Sequence, residues 1–109
     1  MKTSELTGAA LDWAVALIEF PAPHYEDDDR LVYVQGDDEF QFSPSTNWAQ
    51  GGPIIERECI SVARLDTNSW VAHIDGIYCC YGVSAIVAAM RCYVASKLVD
   101  EVDVPEELL

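Results

Sequence analysis

The stretch SVARLDTNSWVAHIDGIYCCYGVSAIVAAMRCYVASKL, residues 61–98, decides the fold. It begins with two short runs of β-branched, aromatic and other apolar residues, 61–65 and 70–74. The polar residues 66–69 between them are typical of a turn. The two runs are therefore predicted to pair as an antiparallel β-hairpin.

The remainder of this stretch predicts a third strand and a helix. Asp75 and Gly76 favour a tight turn into a strand over 77–81, which extends the hairpin into a meander. Ser84 can then cap a helix that runs to about Val99. The apolar face of that helix consists of Ile86, Ala89, Met90, Tyr93 and Leu98.

Another amphipathic helix is predicted near the amino terminus, over residues 3–19. Thr3 or Ser4 can cap it and Pro21 ends it, while the short run 31–34 has the composition of a strand. Its apolar residues recur at helical spacing, at Leu6, Ala10, Trp13 and Leu17. The sequence therefore predicts an α+β fold, in which two helices cover one face of a small antiparallel sheet of three or four strands.

Charge is distributed unevenly along the chain. The 109 residues suit one domain, and 19 acidic against 6 basic residues give a formal net charge of −13. Residues 1–39 hold ten acids and residues 99–109 hold five, whereas residues 40–98 are balanced. This charge argues against direct binding to nucleic acid or to an anionic membrane, and a charged partner should be basic. The acidic tail from about residue 100 is expected to fray after the helix, although Val102 and Val104 could still pack.

No membrane span, export signal or metal motif is evident. The first 20 residues carry charged side chains, as expected for a soluble helix rather than a signal peptide. Without an export signal, the cysteines are expected to be reduced thiols in a cytosol, and because they lack C-x-x-C spacing we expect no metal and no cofactor. They are Cys59, Cys79, Cys80 and Cys92.

Common enzyme signatures are missing as well. The chain lacks the glycine-rich phosphate and dinucleotide loops, the G-x-S-x-G nucleophile motif and H-E-x-x-H. His24 and His73 are far apart in sequence, and His73 is expected to be a partly buried, hydrogen-bonded strand residue. We therefore expect a protein that acts by binding and not by catalysis.

One stretch stands out as a candidate binding site: FSPSTNWAQGGPIIERE, residues 42–58. It predicts a loop from Ser43 to Arg57, with glycines that permit positive φ and close approach of the backbone. An aromatic ring could stack on a ligand, and a guanidinium could hold an anionic group. The candidate residues are Ser45, Thr46, Asn47, Trp48, Gly51, Gly52 and Arg57.

A purely structural interpretation of the same stretch stays open. In this interpretation, packing of Trp48 holds an Ω-like loop against the core, and Arg57 forms an ion pair with Glu56 or Glu58. Which interpretation holds depends on whether Trp48 and Arg57 face a pocket or the protein interior.

Three blocks of sequence resemble a known family. They are KTSELTGAALDWAVA near the start, SPSTNWAQGGPIIERE in the middle and AAMRCYVASKLVDEVDVPEEL near the end. Together they resemble the NinX family of small proteins from lambdoid bacteriophages and prophages. The resemblance implies a phage origin, a place in the host bacterial cytoplasm and an accessory role, and it implies no established activity.

The chain departs from the family pattern at two places. Asn47 stands where an Asp commonly precedes the loop tryptophan, and Val83-Ser84-Ala85 replaces a Pro-Thr-Pro-like start of the last helix. An asparagine can accept the same backbone hydrogen bond as an aspartate, so we favour a capping role for Asn47.

Two binding hypotheses follow. In the first, the Ser43–Arg57 loop captures a small molecule, such as a host signalling nucleotide, or a host protein. In the alternative, the acidic runs 26–29 and 37–39 and the C-terminal acids mimic the charge of nucleic acid, so that the protein acts as a decoy for a host nucleic-acid-binding protein. The sequence leaves the oligomeric state open, including a homo-oligomer.

Overall fold

The computed structural model describes residues 1–20, 24–25, 31–35, 38–98 and 101–108. These residues form three α-helices and two three-stranded antiparallel sheets, which confirms the predicted α+β class. The helices are α1 (Gly8–Glu19), α2 (Trp48–Arg57) and α3 (Ala85–Leu98). The strands are β1 (His24–Tyr25), β2 (Leu31–Gln35), β3 (Asp38–Gln41), β4 (Ser61–Asp66), β5 (Ser69–Ile74) and β6 (Tyr78–Gly82).

The predicted hairpin is formed by β4 and β5. Its turn consists of Thr67 and Asn68 alone, because the strands extend further into the polar stretch than expected. The Asp66 carboxylate accepts a hydrogen bond from the backbone N–H of Asn68 at 3.0 Å, which closes the turn. A register shift between Arg64 and Asp66 places an irregularity next to it.

The predicted third strand is β6, and the tight turn before it is present. Asp75 and Gly76 both have positive φ, at 54° and 69°, and Ile77 donates its N–H to the carbonyl of Ile74 at 3.0 Å. Positive φ at both central residues is the hairpin geometry that Asp-Gly favours. The order β4-β5-β6 is therefore the simple meander expected from sequence.

Helix α3 lies across one face of this meander and contacts all three strands. It also packs against α1 and α2, so it is buried well beyond the single face that the sequence predicted. The additional buried residues include Val87, Ala88, Cys92 and Val94. Ser84 caps the helix as expected, because its Oγ accepts the N–H of Val87 at 3.2 Å.

Gly82 sets the distance between β6 and α3. A Cβ atom at this position would lie 2.6 Å from the backbone nitrogen of Ala88 and 3.0 Å from its Cα. Backbone atoms cannot rotate away as a flexible side chain can. A glycine at the end of β6 therefore permits the close packing of strand and helix.

Helix α1 starts later than predicted. Thr3–Glu5 forms a separate 3-10 helix, and α1 begins at Gly8, whose φ is +53°. The left-handed conformation of Gly8 is incompatible with one continuous helix from residue 3. Pro21, expected to end the helix, lies outside the described residues.

The core lies where α1 packs on α3. Tyr93 is almost fully buried there, whereas Trp13 is partly buried against the core. The main contacts of α1 are with α3 and not with the meander, so the two helices lie on one side of the sheet in successive layers.

The acidic tail is attached to the amino terminus rather than frayed. The Met1 ammonium donates to the carbonyl of Val102 at 2.9 Å, and the N–H of Val102 donates to the carbonyl of Met1 at 2.9 Å. Lys2 and Glu101 form an antiparallel β-bridge beside this pair. Val102 is buried, so apolar packing and backbone pairing outweigh the tendency of a charged terminus to fray.

The second sheet contains the strand expected over 31–34, which runs as Leu31–Gln35. It pairs with β1 and β3, two strands that the sequence did not predict. The acidic residues 26–29 and Asp37 lie outside the described residues.

Replacing Gly82 by alanine should destabilise the fold by about 1–3 kcal/mol, because the added methyl group meets the backbone of Ala88. Urea denaturation checks this. Val83→Ala is the matched control, since Val83 is 72% exposed and its truncation should change stability by less than about 0.5 kcal/mol. Equal stability of Gly82→Ala and Val83→Ala would contradict the packing assigned to Gly82.

Candidate functional site

The segment predicted as a loop is a short turn followed by a helix. Asn47 donates its N–H to the carbonyl of Ser43 at 2.9 Å, and α2 begins at the next residue. The loop assignment is therefore wrong for Trp48–Arg57. The cap assigned to Asn47 is confirmed, because its Oδ1 accepts the N–H of Ala49 at 2.9 Å.

Two side chains fix the turn that precedes α2. Gln50 folds back on it, accepting the N–H of Ser43 at 2.6 Å and donating to the carbonyl of Gln41 at 2.8 Å. Asp12 of α1 accepts the N–H of Ser45 at 2.8 Å in the protein interior. Ser45 is 2% exposed, so this candidate residue faces the core and anchors the turn.

Asp12 has an unusual electrostatic environment. Burial disfavours its carboxylate and raises the pKa to about 6, while the hydrogen bond from the Ser45 backbone offsets part of this effect. The pKa therefore lies close to neutral pH.

The two candidate glycines have different surroundings. A Cβ atom on Gly51 would lie 2.5 Å from the Pro44 carbonyl oxygen and 2.6 Å from Cδ1 of Ile86. One on Gly52 would meet only the Trp48 ring, at 3.8 Å. Both glycines are inside α2 and neither has positive φ, contrary to the expected loop geometry. Gly51 is needed for packing, and Gly52 lies beside the indole.

Arg57 is held by its neighbours at the end of α2. It donates to Glu58 at 2.9 Å and to Glu19 at 2.8 Å, and a further hydrogen bond reaches the Tyr93 hydroxyl at 3.0 Å. The two carboxylates raise the pKa of Arg57 above its ordinary value. Glu58 agrees with the structural interpretation of the sequence, whereas Glu19 and Tyr93 lie too far away in sequence to have been predicted.

Trp48 and Arg57 lie at opposite ends of α2. They are nine positions apart, which in an α-helix is about 13 Å along the axis and about half a turn around it. Trp48 is 55% exposed at the start of α2, next to the exposed residues Thr46 and Asn47. The structure therefore places Thr46, Asn47 and Gly52 around Trp48 and separates them from the other three candidates. Ser45 and Gly51 are buried, and Arg57 is ion-paired although its side chain is 51% exposed.

A groove that the sequence did not suggest lies on another part of the molecule. Its volume is about 620 Å³, and its lining includes Cys79 and Cys80 of β6, with Lys2 and Glu101 from the two termini. The adjacent cysteines were visible in the sequence. Their place in a groove depends on the pairing of the two termini, which no local pattern predicts.

Within the described residues, no group of three or more His, Cys, Asp or Glu side chains could hold a metal ion. All four cysteines are free thiols.

His73 is exposed, contrary to the partial burial expected, because it points to the face of the meander opposite α3. No described helix has the length and apolar character needed to cross a bilayer.

Comparison with protein families gives a match over residues 2–97 to the bacteriophage P22 NinX family. The chain belongs to this family. The match confirms the resemblance seen in the three sequence blocks and extends through all three helices of the NinX-family fold, short only of the last residue of α3. No curated protein matches the chain significantly.

The two glycines should respond oppositely to the same substitution. Gly51→Ala should destabilise the protein by about 1–3 kcal/mol, because Pro44 and Ile86 occupy the space of the methyl group. Gly52→Ala should be neutral or stabilise by up to about 1 kcal/mol, since alanine favours the helix. Urea denaturation of both variants measures the difference. Equal destabilisation would show that the contact with α3 is not what requires Gly51.

Asp12 should make stability depend on pH. The pKa of Asp12 is raised from the ordinary 3.8 to about 6 in the folded protein, so folding favours the protonated carboxyl. This contribution to the stability of the folded state is complete below pH 3.8 and is lost as pH rises through 6. Asp12→Asn keeps an acceptor for Ser45 and should be more stable than the parent at pH 7.5, by about 1–3 kcal/mol.

Denaturation of the parent and Asp12→Asn at pH 5 and pH 7.5 provides the measurement. The stability advantage of the variant should shrink at pH 5, and the difference between the proteins removes the contribution of the other acids. A constant advantage at both pH values would exclude Asp12 as the titrating group.

Proposed function

We propose that this NinX-family protein is a phage accessory protein that binds a host protein in the bacterial cytoplasm. The binding surface, here the Trp48 surface, consists of Thr46, Asn47, Trp48 and Gly52. The exposure of 55% of Trp48 on a firmly anchored helix is the observation that carries this proposal.

An exposed tryptophan is well suited to anchor a protein interface. Its large apolar ring gains free energy when a partner covers it, and tryptophan is enriched among the residues that dominate binding energy. Gly52 presents no side chain beside the ring, and the exposed residues Ala49 and Pro53 continue an uncharged strip along α2. The strip could pack against a complementary apolar surface.

Anchoring of α2 lowers the cost of binding. Gly51 and Ile54 are buried on the opposite side of the helix, and Asn47 caps its first turn. The backbone of α2 is therefore fixed before a partner arrives, so less conformational entropy is lost on association.

A protein partner fits this geometry better than the small ligand considered from sequence. Trp48 and Arg57 lie at opposite ends of α2, and Arg57 already has two carboxylate partners. A flat surface around one aromatic side chain offers little enclosure for a nucleotide-sized molecule. The net charge of −13 favours a partner with basic residues around the contact.

Charge also supports the alternative function, an acidic decoy for a host nucleic-acid-binding protein. The decoy would hold its partner through acidic residues such as Asp27, Asp28 and Asp29, and its affinity would fall steeply with salt. The Trp48 surface should respond weakly to salt, because its contacts are mainly apolar.

The test compares variants in binding to host proteins. Partners captured from host lysate are identified by mass spectrometry, and their affinities are measured with purified components at low and moderate salt. Trp48→Ala should weaken binding by about 10-fold to 100-fold, or about 1.4–2.8 kcal/mol. Tyr81→Ala is the matched control, because it removes an aromatic ring of similar exposure, 57%, from the meander.

A second arm uses the triple variant Asp27→Asn, Asp28→Asn and Asp29→Asn. Loss of binding in this variant and at higher salt, with binding retained by Trp48→Ala, would replace the proposal by the decoy. A nucleotide panel titrated against the same proteins tests the small-ligand hypothesis. Binding of a nucleotide that depends on Trp48 would restore that hypothesis.

A further inference from the structure

The groove beside the termini contains a pair of thiols that the Trp48 surface does not use. Cys80 lies on β6 opposite Ala72, on the face of the meander that packs against α3. Cys92 of α3 lies beside it, because the Cys92 thiol contacts the carbonyl of Ala72, the residue that pairs with Cys80 in the meander. Cys80 also lines the groove, so a small molecule can reach one thiol of the pair from solvent.

Cys92 is held in place from the other side. It is fully buried, and its thiol lies 3.6 Å from the carbonyl oxygen of Ala72 and 3.5 Å from that of Tyr78. The pKa of the Cys92 thiol is raised, mainly by its interaction with Cys80 and also by burial. Cys92 therefore keeps its proton, which it can donate to these carbonyls, while its sulfur lies beside Cys80.

Arg91 supplies positive charge next to the pair. Its Nε donates to the carbonyl of Leu6 at 2.7 Å and its Nη1 to the carbonyl of Tyr81 at 2.8 Å. Both acceptors are neutral, and none of the described carboxylates lies within ion-pair distance of Arg91. The charge of Arg91 is thus free to stabilise an anion on Cys80.

These contacts favour the thiolate form of Cys80. Interaction with the Cys92 thiol and the charge of Arg91 lower the pKa of the Cys80 thiol to about 7, against the opposing effect of burial. The other charged residues at the groove, Lys2 and Glu101, have side chains of opposite sign, and their backbones are neighbours in an antiparallel β-bridge.

We propose that Cys80 is a peroxide-sensitive nucleophile and that Cys92 is its resolving partner. A hydroperoxide that enters the groove is attacked by the Cys80 thiolate, and a disulfide with Cys92 forms in a second step. The product links the edge strand β6 to the central helix α3. This site is distinct from the Trp48 surface and does not depend on the proposed binding function.

The two steps balance as follows. The Cys80 thiolate attacks one oxygen of the hydroperoxide, the O–O bond breaks, and the other oxygen takes a proton from water and leaves as an alcohol, or as water if the oxidant is hydrogen peroxide. Cys80 is then a sulfenic acid. The Cys92 sulfur attacks the Cys80 sulfur, the S–O bond breaks, and the hydroxyl leaves as water with the proton of Cys92. Two thiols are oxidised and one peroxide is reduced.

Cys79 is the natural internal control. It follows β-strand alternation and lies opposite His73 on the other face of the meander. Cys79 therefore points away from Cys92, although it precedes Cys80 directly in the chain. Cys59 is an exposed thiol on the segment between α2 and β4 and provides a second control.

The test treats the full chain with hydrogen peroxide at pH 7.5, alkylates the remaining thiols and digests the product with trypsin. Cleavage after Arg64, Arg91 and Lys97 places Cys79 and Cys80 in peptide 65–91 and Cys92 in peptide 92–97. Peroxide should link these two peptides in the parent and in Cys79→Ser, and dithiothreitol should separate them. Cys80→Ser should lose the link completely, with Cys59 still alkylated.

A second measurement does not require the disulfide. In Cys79→Ser, the rate of Cys80 alkylation by iodoacetamide should reach half its maximum near pH 7. Circular dichroism verifies the fold of each variant. A peroxide-treated parent without the 65–91 to 92–97 link would overturn the proposal, as would a link that Cys80→Ser retains and Cys79→Ser loses.

Discussion

Two glycines allow the chain to approach α3 from different elements. Gly82 brings the end of β6 against the backbone of Ala88, and Gly51 brings α2 against Ile86. In both places a methyl group would occupy space already filled by protein atoms. The central helix can be buried between a sheet and two other helices only because these contacts are so short. The core, the orientation of α2 and the position of the groove all depend on this close packing.

Three acidic residues have structural roles at the two ends of α2. Asp12 holds the turn before α2 through the backbone of Ser45, and Glu19 and Glu58 hold Arg57 at the end of the same helix. The helix is thereby fixed at both ends. Trp48, which is not engaged in these contacts, remains exposed on a rigid support. This arrangement separates the anchoring residues from the residues that can meet a partner.

The molecule thus presents two different kinds of chemistry. The Trp48 surface is uncharged and suited to recognition of a protein, while the groove contains the Cys80 thiol near the positive charge of Arg91. Cys80 and Cys92 lie side by side because β6 packs on α3, and the groove next to them is closed in part by Lys2 and Glu101 from the two termini. The two regions use different elements, so each can be tested by substitutions of its own.

Local sequence determined those features whose hydrogen bonds connect residues a few positions apart. The meander, the Asp75-Gly76 turn, the Ser84 cap and the Asn47 cap are of this kind, and so are the α+β class and the existence of α1 and α3. The uneven charge and the reduced cysteines were also evident from the sequence alone.

Only the tertiary structure decided the rest. Two glycines and a proline led to the prediction of a loop where the structure has α2. The helix forms because Gly51 fits against Pro44 and Ile86, and because Asn47 caps the first turn. The hydrogen bonds of Arg57 with Glu19 and of Met1 with Val102 join residues distant in sequence, and the packing of β6 on α3 brings Cys80 close to Cys92. Such contacts depend on how completed elements pack together, and the free energy of that packing outweighs local propensity.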